Sequence, residues 1–177
     1  LRALNSNLPA DISVRSVQVV DAKFHPRFDA ISRTYQYRLF CQPLRDPIRE
    51  RFSWRVWPAT TGDGLVHAAK QLIGTHDFSA FGSPTTPKGT TVRTVMKAEW
   101  TQVGDDEWHF EVQADAFLYR MVRRMVFVQV AVAQGKVPAE TIARSLVEQV
   151  SAQSRSVLPS GLAPAHGLTL VKVEYRE

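Results

Sequence analysis

One cysteine, Cys41, stands in a chain of 177 residues, which excludes an internal disulfide framework and any zinc site built on cysteine pairs. Long apolar runs are missing as well. No stretch approaches the roughly 20 residues of a membrane-spanning helix, and no basic start followed by an apolar middle marks a secretory signal. The expectation is a soluble, cytoplasmic protein in a reducing compartment. The five histidines, His25, His67, His76, His109 and His166, fall at no metal-ligand spacing. A G-x-S-x-G nucleophile elbow is absent, so a Ser-His-Asp hydrolase has no support. Internal repeats and low-complexity tracts are lacking too. The chain opens on Leu1 rather than methionine and reads as the middle of a longer protein.

What is present is enough apolar material for one domain: 44% hydrophobic residues and four tryptophans, in a length that can bury a core. The net charge of +5 is concentrated in one segment. Residues 15 to 55 hold nine basic side chains (Arg15, Lys23, Arg27, Arg33, Arg38, Arg45, Arg49, Arg51, Arg55) against four acids (Asp21, Asp29, Asp46, Glu50), a difference of five. That is the whole excess. It fits a polyanionic partner such as nucleic acid, and it fits equally a solvated basic face.

Periodicity predicts strands over 12–22, 33–41, 91–103, 107–114 and 166–177, and helices over 63–73, 116–134 and 138–150. Thr61 or Asp63 caps the first helix and Gly74 stops it. Gly104 turns the hairpin between the third and fourth strands. The stretch GTHDFSAFGSPTTPKG, 74–89, reads as a loop, with His76 and Asp77 bracing Phe78 and Phe81. Antiparallel strands with helices covering one face make the fold class α+β.

Within these elements two residues invite a chemical reading. Tyr35, in the strand RTYQYRLF, is either an ordinary packing residue with its hydroxyl satisfied or part of a site. Arg123 shares one side of the apolar helix AFLYRMVRRMVFVQVAVAQ with Arg120 and Arg124. Flanked by Met121, Val122, Met125 and Val126, it must snorkel to water or pair with a carboxylate. Asp115, at the start of that helix, is expected to cap it, which leaves the partner elsewhere. Cys41 reads as a small buried hydrophobe.

Five motifs in one order, ALNSNLPADISV, FHPRFDAISRTYQYRLF, GTHDFSAF, TVRTV and FEVQADAFLYRMVRRMV, followed by the closing PAHGLTLVKVEY, resemble the tRNA pseudouridine synthase A family over essentially the whole chain. The resemblance implies a pseudouridine-synthase-like C-terminal domain, related to ferredoxin-like folds. It also implies an enzyme that isomerises uridine to pseudouridine in the anticodon stem-loop of tRNA, as a homodimer, without cofactor or metal. On the motifs, Tyr35 takes the position that contacts the target base, and Arg123 that of the arginine pairing with a nucleophilic aspartate. Phe24, His25, Pro26, Arg27 and Phe28 match an RNA-binding stretch. Thr85, Thr86, Pro87, Lys88 and Gly89 match a second tRNA-contacting stretch.

Three departures accompany the matches. The family's aspartate motif, G-R-T-D-x-G-V-H, does not occur in this sequence, so the expectation is a C-terminal part of the enzyme that is inactive alone. Asp115 stands where the family usually has Asn, and Phe127 where Gly is usual. A non-catalytic RNA-binding or dimerisation module of the same ancestry is the rival reading.

Overall fold

Strand β1, Ala30–Cys41, is the spine of a six-stranded sheet. A computed structural model describes residues 1–87, 89–147 and 158–176. Along one edge β1 pairs antiparallel with β5, Glu107–Ala114, from Arg33 opposite Ala114 to Phe40 opposite Glu107. Along the other edge its first part pairs antiparallel with β6, Leu168–Tyr175, and its last three residues pair in parallel with β2, Trp54–Val56. A hairpin turned at Gly104, whose φ is +80°, joins β5 to β4, Val92–Val103, and β3, Gly74–Asp77, closes the far edge. The order is β2-β1-β5-β4-β3, with β6 beside β1.

Period-two alternation sorts the side chains of this sheet into two very different faces. Tyr37 and Leu39 of β1 are fully buried with Phe110 and Val112 of β5 and Trp100 of β4. Against this face pack helices α2, Gly62–Lys70, and α3, Met121–Ala133, with α4, Thr141–Val147, beside them. Two polar groups inside the core are satisfied: Trp100 Nε1 donates to Gln129 Oε1 at 2.8 Å, tying β4 to α3, and Tyr37 Oη donates to the Pro164 carbonyl at 2.8 Å. The fold is α+β, mostly antiparallel, with the helices on one face.

The opposite face explains Arg38, the second arginine of RTYQYRLF. Phe40 is buried beneath the guanidinium of Arg49, which lies 4.2 Å from its ring centre. Arg49 pairs with Asp106 at 2.9 Å and Glu107 at 3.2 Å, and Glu107 also holds Arg38 and His109, each at 2.8 Å. Arg45 and Arg55 pair with Glu50. Four of the basic residues in the 15–55 segment are therefore engaged in ion pairs, and the charge free for a polyanion is smaller than the count implies.

Several expectations are corrected. The 12–22 segment forms no strand and pairs with none among the described residues. Val17 and Val19 stand 62% and 101% exposed. Alternation encodes an extended preference and not a partner. The segment is instead tied back to the short helix α1, Arg2–Asn5, by the reciprocal bonds of the Asn5 amide with the Val14 backbone, at 2.7 and 2.9 Å. The expected loop 74–89 begins as the edge strand β3. Helix α3 starts at Met121 rather than Ala116, because Arg120 adopts a left-handed conformation, φ 64°, that no helix can continue. Arg120 thus precedes the helix instead of lying within it, although it still lines one cavity with Arg124. Asp115 caps no helix. Its Oδ1 accepts from the backbone of Thr94 at 3.1 Å and Ala116 at 2.6 Å, which fastens β4 to the segment after β5. Helix α2 is capped by Thr61, whose Oγ1 accepts from Gly64 N at 3.3 Å. Positions 148–150 of the expected 138–150 helix lie outside the described residues.

Two predictions test this architecture. A Cβ added at Gly167 would sit 2.7 Å from Tyr37 Cζ and 2.9 Å from the Arg38 carbonyl. Gly167→Ala should therefore destabilise by about 2 kcal/mol, read as a lower urea midpoint at unchanged slope. Second, the Asp106 carboxyl is held below its ordinary range by its hydrogen bond to Arg49. In Glu107 the raising effect of burial is outweighed by hydrogen bonds from His109 and Arg38. With both folded-state values depressed, their contribution is present at neutral pH and is lost as pH falls below about 4. Arg49→Met should cost about 1 kcal/mol at pH 7, and its stability gap to wild type should narrow in acid unfolding titrations.

Candidate nucleic-acid interface

The turn at residues 24–29 is built to hold Phe28 outward. Asp29 Oδ2 accepts from His25 N at 2.7 Å, and His25 Nδ1 accepts from the amides of Arg27 and Phe28 at 3.2 and 3.4 Å. Phe24 meets the Tyr175 ring edge-on at 5.0 Å, and Tyr175 Oη donates to the Pro26 carbonyl at 2.9 Å, docking the turn on β6. Arg33 supports it from below, donating to the carbonyls of Arg27, Ala30 and Asp115. In consequence Phe28 stands 74% exposed on a fixed backbone, with His25 against its ring at 4.3 Å and the Arg27 guanidinium 5.8 Å from its centre. A ring held into water this way does nothing for the core. It offers a stacking surface.

The second sequence stretch comes to the same place. Phe78 and Phe81 are buried and anchor the loop, Gly89 N donates to the Thr86 carbonyl at 3.0 Å, and Thr85, Thr86 and Pro87 are exposed. Arg27 Nη2 reaches Thr85 Oγ1 at 3.4 Å, joining stretches 58 residues apart. Lys88 lies outside the described residues.

Between the two stretches opens a cavity of about 420 Å³. Its walls are Arg27, Phe28, Arg33, Tyr35, Thr85, Arg93, Asp115 and Phe117, with Ala30 and Ala116. Tyr35 is half-buried and meets the Phe117 ring edge-on at 5.1 Å. Arg27, Arg33 and Arg93 form no ion pair among the described residues. Three arginines against the single carboxylate of Asp115 leave a formal surplus of two positive charges. Arg93 is the least satisfied of them: its Nε is buried with no partner among the described residues, although Nη1 donates to the Val92 carbonyl at 2.5 Å. Phosphate oxygens would complete such a set, and an uncharged planar ring would fit between Phe28, Tyr35 and Phe117.

Arg123 is placed elsewhere. Its Nε donates to the Ala163 carbonyl at 2.6 Å and its own carbonyl accepts from Ala163 N at 3.2 Å, so it pins the 158–164 segment to α3. It sits near Tyr37, whose hydroxyl titration burial pushes far up while the Arg123 charge pulls it back. It does not line the cavity of Tyr35, and no carboxylate pairs with it among the described residues. Arg33, Arg93 and Phe117 were not among the residues expected to form a site. Their signals were the R of RTYQY, the R of TVRTV and the F of DAFLY, all inside quoted motifs but without an assigned role.

The remaining candidates are structural. Burial raises the Asp77 carboxyl, hydrogen bonds from Thr91 and Ser79 lower it further, and the net direction is down. His76 Nε2 lies 3.0 Å from the Ile73 carbonyl and its ring meets Phe78 edge-on. Cys41 is half-buried beside Thr60. Among the described residues no three His, Cys, Asp or Glu side chains are grouped to hold a metal, and no helix is long and apolar enough to cross a membrane. Phe127 stacks on Trp54 with centroids 6.3 Å apart.

Comparison with known proteins agrees with the motif resemblance. A family model described as tRNA pseudouridine synthase matches residues 68–176. Proteins named tRNA pseudouridine synthase A from Methylacidiphilum infernorum and a Geobacter species are each 36% identical over 175 residues, covering 98% of this chain and 66% and 68% of theirs. One from Chloroflexus aurantiacus is 37% identical over 182 residues, covering 98% of this chain and 62% of its own. The chain thus spans about two thirds of the length of such relatives. With a match to well over half of its residues and this degree of identity, the chain belongs to the tRNA pseudouridine synthase family.

Proposed function

We propose that this chain supplies the RNA groove and part of the active-site wall of a tRNA pseudouridine synthase acting on uridines of the anticodon stem-loop. The observation that carries the proposal is the cavity in which Tyr35, Phe28 and Phe117 meet three arginines that form no ion pair among the described residues. In the isomerisation the bond from uracil N1 to the ribose breaks, the ring turns, C5 bonds to the same ribose carbon, the C5 proton leaves, and N1, freed from the sugar, takes up a proton. Atoms balance without any co-reactant. Taking the uridine out of its stack costs a few kcal/mol, and aromatic contacts recover part of that.

In this reading Tyr35 contacts the extruded base and its hydroxyl stands ready to assist removal of the C5 proton. Arg27 and Arg93 take the flanking phosphates, which position the strand without reading its sequence, and Arg33, held by three carbonyls, adds a fixed positive charge between them. Arg123 orients the nucleophilic carboxylate, a task that suits a planar guanidinium better than an ammonium. The G-R-T-D-x-G-V-H motif that carries this carboxylate in the family is absent from the sequence, so the nucleophile is supplied by other sequence. The homodimer, the cytoplasmic location and the independence from cofactors belong to the same proposal and rest on the family resemblance alone.

Tritium release from tRNA labelled at uridine C5 tests the division of labour. The 177-residue chain should bind tRNA and release no tritium, and turnover by it alone would overturn the assignment of the nucleophile to other sequence. Binding isotherms separate the two kinds of contact. Phe28→Ala should weaken tRNA binding by about 1–3 kcal/mol with an unchanged salt slope, whereas Arg27→Gln should reduce that slope by about one.

Asp115 gives a sharper check. Its Oδ1 accepts two backbone N–H groups, as an asparagine oxygen would. Asp115→Asn should leave thermal stability within about 0.5 kcal/mol and tighten tRNA binding, because the one negative charge in the cavity wall is removed. Weaker binding by this variant would count against phosphates as the ligands of the cavity.

A further inference from the structure

The loop that closes the cavity of Tyr35 also forms a second one on the other side of the Ser83–Tyr119 bridge. Thr85 lines the first cavity and Ser83 the second. Two residues of extended chain span at most about 7 Å, a distance comparable to one nucleotide step of a single strand. Tyr119 N donates to the Ser83 carbonyl at 2.9 Å, which fixes the rim between them. The second cavity is a broadly open groove of about 620 Å³, and no carboxylate is found among its lining residues.

Two arginines face this space, and they are held in opposite ways. Arg124 is spent on structure: it donates to the carbonyls of Pro159 and of Gly161, the latter at 2.9 Å, and remains in the wall as a fixed charge. Arg120 is exposed, and its guanidinium, which makes no hydrogen bond or ion pair among the described residues, rests 4.8 Å from the Tyr119 ring centre. A left-handed backbone, φ 64° and ψ 6°, turns it out of the helix that follows. That conformation costs a non-glycine residue about 1–2 kcal/mol, while the Arg120 carbonyl accepts from Arg124 N at 3.0 Å at the start of α3. Ser160 adds a hydroxyl beside the two charges.

We propose that this cavity is a subsite for the sugar-phosphate backbone of the RNA strand adjoining the nucleotide in the first cavity, with Arg120 as its phosphate ligand. The proposal rests on the RNA-binding reading above and extends it to a second site. Tyr119 stacks under the Arg120 guanidinium and limits its rotamers, so less freedom is lost when the phosphate arrives. Arg124 supplies a background positive charge that neither moves nor needs to.

The test measures binding of the 177-residue chain to an anticodon stem-loop RNA by fluorescence anisotropy across a salt series. Wild type, Arg27→Gln, Arg120→Gln, Arg120→Lys and Arg120→Gly are compared. Arg120→Gln should shallow the salt slope by about 0.7–0.9 and weaken binding roughly five- to eightfold at 0.1 M salt, the amount one counterion-releasing contact supplies. Arg120→Lys should keep most of the slope. Arg120→Gly separates the subsite from a structural role: relief of the left-handed strain should raise the melting temperature, while RNA affinity falls as in Arg120→Gln. An Arg120→Gln protein with wild-type slope and affinity, alongside an Arg27→Gln protein that has lost both, would overturn the second subsite and leave the first intact. Failure of the wild-type chain to bind the RNA at all would overturn the RNA-binding reading itself and the subsite with it.

Discussion

The unbroken antiparallel register of β1 against β5, eight residue pairs from Arg33 to Phe40, is the constraint from which the other features follow. Because strand side chains alternate, this one register decides at the same time what is buried under the helices and what meets the ion network on the reverse face. A slip of one residue would exchange Tyr37 for Arg38 in the core, so the two faces hold the register between them. The hydrophobic face resists the slip through burial. The polar face resists it through Glu107, which gathers Arg38, Arg49 and His109. The position of Tyr35 at the wall of a cavity follows from the same register, since it shares a face with Tyr37 and sits nearer the edge of the helical cover.

Much of this was legible in the sequence wherever an element is long and its environment two-sided. The β4–β5 hairpin, the start and end of β5, the Thr61 cap and the burial of Tyr37 and Leu39 all follow from periodicity and turn chemistry. Short elements were not legible. Strands β2 and β3 have three and four residues, too few to establish a period, and they exist because a neighbouring edge was open to them. The beginning of α3 was misplaced for a different reason. The apolar pattern runs smoothly through residues 116–120, and only the backbone of Arg120 interrupts it.

For the site, the motifs led to Arg27, Phe28, Tyr35 and Thr85, and the fold brings these four together although they come from separate stretches. It does not place Arg123 in the same wall. Arg33, Arg93 and Phe117 escaped notice because a cavity wall drawn from five separate stretches has no spacing in the chain. The charge count also misled in part. A surplus along the sequence cannot reveal that Arg38, Arg45, Arg49 and Arg55 already face carboxylates, whereas Arg93 has a buried nitrogen with none. What a polyanion meets is the residue of that internal neutralisation.

Phe127 and Gly161 are fitted to each other. A Cβ at position 161 would lie 2.4 Å from Cζ of the Phe127 ring, and the glycine itself has φ +140°, so the ring occupies space that only a hydrogen leaves open. The volume at these two sites is shared, and neither can grow while the other is large. The ring stacked on Trp54 therefore depends on a position far along the chain that has no side chain of its own, and shrinking residue 127 would free the space at 161 without lifting the backbone preference for glycine there.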